Sequence, residues 1–456
     1  MTDINLICAA DLHLGRQIYH TREETLNLDR AKALGIGDRK SVCGSTSRKS
    51  RSFVIHAWER LIELCLNEQP KVDALLLAGD LIDKGGLFIE MYGILRKGIL
   101  RLQTQGIFVV AVAGNHDAKV LDQFTRALGE FSNFFLLGAN GHWERKSFLV
   151  RGRRLHLDGI SFTDSLMLDN PLGSYKKQSV PDGDALVGLL HCDADVIGSK
   201  HAPVRSSDFC ALPHHAWILG HIHTSKEIRS ENPWVHYCGS LQGLDIGPTE
   251  CGAKGAWKLT IPTHGSIVSK FLPLAPLRWE QARIDCSAIS PQDWESQILK
   301  KIEETLLFQI GEATGVEIVG VRLKFEGRTP IYRELRGNLS RIQEQQEIGF
   351  ILENRWIPYF IESIENNTRP ELDLHALAEG RTMAAILAKK LLQAQENCAL
   401  SKRIYDRIQE KFRADAYMRR CEQAWPEEEE CLDLYIHEGY ALLEHMQNEI
   451  KKVSSS

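Results

Sequence analysis

A chain of 456 residues with 43% hydrophobic and 25% charged positions is a globular protein with a sizeable core, which excludes low-complexity and collagen-like classes and leaves room for more than one domain. Its net charge of −5 argues against coating nucleic acid by electrostatics alone, although a local basic groove remains compatible with it. The eleven cysteines are scattered with no CxxC pair, the N-terminus lacks a secretion signal and no apolar run spans a bilayer, so we expect a cytoplasmic protein with free thiols and no membrane partner.

Ile4–Ala9 is a buried-strand run ending at Asp11. Phe53–Asn67 has helical spacing (Val54, Trp58, Leu61, Ile62, Cys65), and Pro70 leads into the strand Ala74–Ala78, which ends at Asp80. A second helical stretch, Phe88–Gln103, precedes the strand Ile107–Ala113, which ends at Asn115. Strand–helix–strand alternation predicts a largely parallel sheet with helices on its faces. Ligands of such sheets gather beyond the carboxyl ends of the strands.

From about Phe134 to Pro262 the chain shows short runs between Gly, Pro and Asn turns: Phe148–Val150, Ala185–Leu190, Ala216–Leu219 and Trp257–Ile261. These predict a second, more antiparallel sheet. The fold class is therefore α/β: a two-sheet sandwich flanked by helices over residues 1–275, with the proline-containing stretch Leu272–Leu277 as a linker. A small α/β domain is expected over residues 276–368, from the helix Gln292–Gln309 and the strand Val316–Phe325. Residues 369–456 read as helical, with Leu374–Asn397 and Glu429–Val453 carrying apolar stripes and the acidic run Glu427–Glu430 suiting a helix start.

Five short motifs close the apolar runs: Asp11-Leu12-His13, Gly79-Asp80-Leu81-Ile82-Asp83, Gly114-Asn115-His116-Asp117, His191-Cys192-Asp193 and Gly220-His221-Ile222-His223. Singly each has a plain structural explanation. Asp-x-His is commonly a turn, Gly-Asp-x-x-Asp a strand end that caps a helix, and His191 a satisfied core histidine. Gly-His-x-His is more specific, because alternate residues of an extended segment point the same way. Histidine fills only 17 of 456 positions, so five histidines in order, each beside the right Gly, Asp or Asn, are not a coincidence of composition.

Mixed carboxylate, amide and imidazole donors suit manganese, iron or zinc better than calcium. Two such ions bridged by a carboxylate about 3.5–4 Å apart form a device for cleaving phosphate esters, because they neutralise the phosphate and acidify water. Asp80, at a strand end directly after Gly79, is the carboxylate best placed to bridge.

These motifs resemble the calcineurin-like metallophosphoesterases, and within them the SbcD/YhaO-type DNA repair exonucleases. Tyr237–Gly243, Glu250, Gly252–Gly255 and Gly327–Leu335 resemble further segments of that branch, so the likeness covers roughly residues 3–340. Cys238 stands where the family often has proline. The resemblance implies that Asp11, His13, Asp80 and His223 hold one metal and that Asp80, Asn115, His191 and His221 hold the other. It implies two divalent ions, manganese foremost and magnesium as the alternative, with His116 acting on the leaving oxygen or the transition state. Asp83 and Asp117 then orient neighbouring ligands or cap helices. The implied activity is a 3′-to-5′ DNA exonuclease with endonuclease action, working with an SbcC- or YhaN-like coiled-coil ATPase in DNA repair or defence against foreign DNA. Residues 276–368 would cap the site and contact DNA; residues 369–456 would dock the ATPase, and a homodimer is a further expectation. Two other functions fit the residues: a phosphodiesterase or phosphatase acting on small nucleotides or phosphoproteins, and a chiefly partner-binding subunit. The basic stretch Arg16–Ser52, with Arg39-Lys40, Arg48-Lys49 and Arg51, is either a phosphate-gripping loop or a solvated insertion.

Overall fold

The structure, a computed structural model, describes residues 3–16, 18, 53–83, 88–127, 131–311, 315–343, 345, 348–396, 398–414 and 428–455. Apart from Arg16 and Ile18, the basic stretch 16–52 lies outside the described residues.

Two six-stranded sheets face one another. In the first, β1 (Ile4–Ala9), β2 (Ala74–Ala78), β3 (Phe108–Val112) and β4 (Phe134–Leu136) run parallel. The second contains β5 (Glu144–Val150), β6 (Arg153–Ile160), β7 (Ala185–His191), β10 (Ala216–Gly220), β11 (Lys226–Arg229) and β12 (Trp234–Tyr237), in the order β11-β12-β10-β7-β6-β5. A two-strand parallel ladder of β8 (Asp193–Ala194) and β9 (Pro203–Val204) follows β7. The period of two along each strand divides the side chains. Leu6, Cys8, Leu76 and Val110 turn inward onto Leu155, Leu157, Val187, Leu189 and Ile218 of the other sheet. Their alternates Ile7, Ala9, Leu75, Leu77 and Val109 meet Trp58 and Leu61 of the helix Phe53–Asn67 and Leu95 and Ile99 of the helix Phe88–Thr104.

Three expectations are corrected. The second sheet is parallel through β6, β7, β10 and β12, and antiparallel only at its edges. β7 is apolar up to His191 and the buried run Ala216–Gly220 is apolar throughout, which is how strands covered on both faces read; Gly198, Pro203 and Pro213 between them lie in a crossover, not a hairpin. Trp257–Ile261 belongs to β13 (Gly255–Ile261), which joins the first sheet antiparallel to β1, with β14 (Val268–Pro273) beyond it. The stretch Leu272–Leu277 is no spacer: Leu274 and Ala275 are buried, and both donate to the Lys254 carbonyl. Cys238 donates its amide to Leu219 O at 3.0 Å, a bond that proline at this position could not make.

The chain divides into two compact units, one of residues 1–281, 309–321 and 346–362, the other of residues 282–308, 322–345 and 363–456. A four-stranded sheet has the order β15 (Leu277–Asp285), β16 (Ile318–Glu326), β19 (Arg355–Asn366) and β18 (Gly349–Leu352); β17 (Arg328–Thr329) pairs with β20 (Arg369–Pro370). Within the second unit the expected helix Leu374–Asn397 is two helices, Leu374–Ala378 and Met383–Glu396. Gly380 interrupts it, and Thr382 restarts it by accepting the Ala385 amide. Leu374, Ala388 and Leu391 pack with Ile436, Tyr440 and Leu443 of the helix Glu428–Ser455. The apolar stripes of these helices thus cover one another. No described helix is long and apolar enough to cross a membrane.

Candidate metal centre

The five motifs follow the carboxyl ends of β1, β2, β3, β7 and β10. The loops after β1 and β2 stay zipped together: Asp11, His13 and Leu14 donate their amides to the carbonyls of Gly79, Asp80 and Leu81. Asp11, His13, Asp80 and His221 all have positive φ, between 49° and 97°. L-residues adopt that region rarely, and its clustering at one site marks strain held by surrounding structure. Two glycines allow the close approach. A Cβ on Gly79 would strike His191 Nδ1, and one on Gly220 would strike the Ala78 carbonyl.

Seven side chains named from the sequence meet here. His191 donates Nδ1–H to Ala78 O at 2.9 Å, so in the neutral ring Nε2 is a lone pair. Around that nitrogen stand Asn115 Oδ1 at 3.1 Å, His221 Nδ1 at 3.2 Å and Asp80 Oδ2 at 3.3 Å. Asn115 Oδ1 is also 3.1 Å from His221 Nδ1. Asp80 Oδ2 also lies 4.0 Å from His13 Nε2, which is 3.1 Å from His223 Nε2. Asp11 belongs with His13 and His223, and Asp80 with His191 and His221, in groups able to share an ion.

This donor set fits divalent metal. Acceptors crowd the His191 Nε2, an arrangement that is repulsive unless a proton or a metal ion lies among them. Separations near 3 Å are also the edges expected between ligands about 2.1 Å from an octahedral ion. Among the described residues, His13 Nδ1 is buried without a hydrogen-bond partner. Electrostatics agree. Burial works against charge on both His191 and Asp80, yet their attraction pulls His191 up to about 9 and holds Asp80 below the usual carboxylate range. Burial pushes His13 and His221 down to about 4, His191 adding to the fall at His221, so both remain neutral donors near pH 7.

Asp117 and Asp83 act differently from each other. Fully buried Asp117 accepts from the amides of Leu81, Ile82 and Gly114, tying together the loops that carry Asp80 and Asn115. Burial and the neighbouring Asp80 push it up to about 7. Asp83 Oδ1 is 3.3 Å from His116 Nδ1, and that hydrogen bond holds Asp83 down at about 2. His116, 36% exposed, is the most open imidazole among those of the five motifs, and its amide donates to Asp80 Oδ1 at 2.9 Å.

Two carboxylates without an assigned role from the sequence also stand here. Asp193 Oδ1 is 3.4 Å from His221 Nε2, and Glu250 Oε1 hydrogen-bonds His223 Nδ1. The visible signals were slight: Asp193 lies two residues after His191, and Glu250 sits within a motif segment of its own.

Residues 4–225 match the model of the calcineurin-like phosphoesterase family. An uncharacterized metallophosphoesterase of Bacillus subtilis (strain 168), YhaO, is 27% identical over 363 residues, covering 76% of this chain and 79% of that protein. The DNA double-strand break repair protein Mre11 of Methanopyrus kandleri is 21% identical over 324 residues, covering 66% of this chain and 69% of that one. Among solved structures, TT1561 of Thermus thermophilus aligns with 59% of this chain and 99% of its own, at 10% identity and a TM-score of 0.33.

Proposed function

We propose that this chain, whose residues 4–225 match the calcineurin-like phosphoesterase family, is a metallophosphoesterase that hydrolyses DNA phosphodiester bonds with two divalent ions, manganese foremost and magnesium as the alternative. The observation that carries this reading is the convergence of Asn115, His191, His221 and Asp80 donors, with Asp80 Oδ2 facing His13 as well. Asp11, His13, Asp80 and His223 would hold one ion; Asp80, Asn115, His191 and His221 would hold the other, with Asp80 bridging.

When bound, the ions supply Lewis acidity toward the phosphate and toward water. The chain's own work is to keep the imidazoles in the correct tautomer and to manage one proton. His191 is oriented by Ala78 O. His116 has Nδ1 engaged by Asp83, so proton delivery to a departing sugar oxygen would pass through Nε2. A general acid placed this way contributes about 10²–10⁴-fold.

DNA as substrate draws support from the likeness to Mre11, which extends well past the phosphoesterase domain. On this reading the enzyme is a 3′-to-5′ exonuclease with endonuclease action, partnered by an SbcC- or YhaN-like ATPase, and serves DNA repair or defence. Residues 276–368 would narrow access to the site, and residues 369–456 would dock the ATPase. Because the C-terminal helices already cover one another's apolar faces, docking would use their outer surface. Truncation after Thr368 should then abolish co-purification with the ATPase.

The test is cleavage of end-labelled duplex and single-stranded DNA with manganese, beside cyclic nucleotides and a phosphomonoester. Cleavage of DNA that Asp80→Ala abolishes is expected. Turnover of only the small esters would overturn the choice of DNA, and equal cleavage by Asp80→Ala would overturn the site.

A further inference from the structure

We infer that each histidine of Gly220-His221-Ile222-His223 is governed by its own buried carboxylate, Asp193 for His221 and Glu250 for His223, so that the two metal positions are tuned separately. This rests on the two-metal reading above. The two imidazoles enter the centre through opposite nitrogens: His221 presents Nδ1 to Asn115 and His191, and His223 presents Nε2 to His13. A neutral imidazole has one N–H and one lone pair, and a carboxylate accepts only. Asp193 Oδ1, 3.4 Å from His221 Nε2 at an ion-pair distance, favours a proton on that nitrogen through its charge and leaves Nδ1 as the donor to metal. Glu250, hydrogen-bonded to His223 Nδ1, does the reverse for its ring. The sequence neighbours thus hold opposite tautomers because different carboxylates stand behind them.

Each carboxylate is itself fixed, and by different groups. Asp193 lies in the β8 ladder and accepts from Ser199 Oγ, with His201 Nδ1 3.9 Å away. Glu250 accepts from Ser240 Oγ and from the Leu244 amide, both at 3.2 Å. Lys254 Nζ closes that side by donating to the carbonyls of His223 and Thr249. Both carboxylates are more than nine-tenths buried, so water does not substitute readily for either. Partners of this kind behind ligating histidines change metal affinity by about 10–100-fold. Asp193, His201 and His221 also lie close enough together to hold an ion of their own. That would require His221 Nε2 to be a lone pair, and counting ions decides the matter.

The experiment is manganese titration of the full chain by calorimetry, with bound ions counted by electron paramagnetic resonance. The wild type should bind two. Asp193→Asn should weaken one of them by about 10–100-fold, and Glu250→Gln the other. In an Asn115→Ala background Asp193→Asn should add little, whereas Glu250→Gln should still weaken the remaining ion. Ser199→Ala, which removes the hydroxyl that donates to Asp193 and accepts the His201 amide, should act in the same direction as Asp193→Asn with smaller effect, and serves if that variant does not fold. Two ions bound with wild-type affinity by both carboxylate variants, both ions weakened alike by either variant, or a third ion lost on Asp193→Asn would overturn the inference while leaving the DNA-hydrolase reading intact. A wild-type chain that binds no pair of ions would overturn both.

Discussion

Asp83 Oδ1 stands 3.3 Å from His116 Nδ1, while the carboxylate's other oxygen lies 3.3 Å from Arg16 Nη1. The contact fixes an imidazole that is open to solvent but lies edge-on to His13, with ring centroids 5.0 Å apart. On the reading proposed here, His116→Ala should bind both ions as the wild type does and lose about 10²–10⁴ in turnover. Asp83→Asn should lose less, because the ring remains and only its orientation loosens. Parallel metal titration and single-turnover cleavage check both, and loss of metal in His116→Ala would make that residue a ligand.

Metal should also stabilise the fold. An ion that binds only the native state adds about 2.7 kcal/mol at a concentration a hundredfold above its dissociation constant. Manganese is therefore expected to raise the thermal midpoint and a chelator to reverse the rise. Asp80→Ala should abolish the response, since Asp80 faces both His13 and His191. A midpoint of Asp80→Ala that still climbs with manganese would place the ions elsewhere.

Ile4–Ala9, Ala74–Ala78 and the helix Phe53–Asn67 run as their patterns predict, because strand and helix periods are local properties. Strand direction is not local. β7 and β10 are parallel through pairings such as Ala216 with Val187, and nothing in either run announces its neighbour. That these side chains would gather in one place was legible because few residue types offer donors suited to metal. Their supports were not. Asp193 reaches His221 only because β7, β8 and β10 come together, and Glu250 reaches His223 across 27 residues of chain.

Away from the centre, Asp158 is buried beneath Arg145, Tyr175 and His214. Burial alone would raise it, yet Arg145, His214 and Tyr175 outweigh that and hold it down at about 2. An unfolded aspartate titrates near 3.9. The lowered value therefore contributes stability above about pH 4, on the order of 2 kcal/mol, that is lost as the pH falls through about 2. Asp158→Asn should be less stable than wild type at pH 6, and the gap should narrow between about pH 4 and pH 2. Urea denaturation at several pH values measures it, and a gap that does not change with pH would refute the assignment.

Asp117 makes a sterner prediction. Asp117→Ala would leave the amides of Leu81, Ile82 and Gly114 without their acceptor, each at a cost of about 1–3 kcal/mol where water cannot enter. A large fall in the denaturation midpoint is expected. Asp117→Asn, which keeps one carbonyl oxygen, should fall less, and an unchanged midpoint in the alanine variant would mean that the loops hold without it.

The left-handed backbone at Asp11, His13, Asp80 and His221 has a consequence for how this chain can be improved or damaged. Residues held there cost about 1–3 kcal/mol each, and glycine would relieve much of that. His13→Gly should therefore refold in chelator with less of a penalty than an ordinary buried-histidine deletion, while losing the part of its metal response that comes from the ion His13 would hold. Selection for thermal stability alone would drift toward glycine at these positions and erase the centre. The residues of the centre mark where this protein forgoes stability that its own fold could readily have.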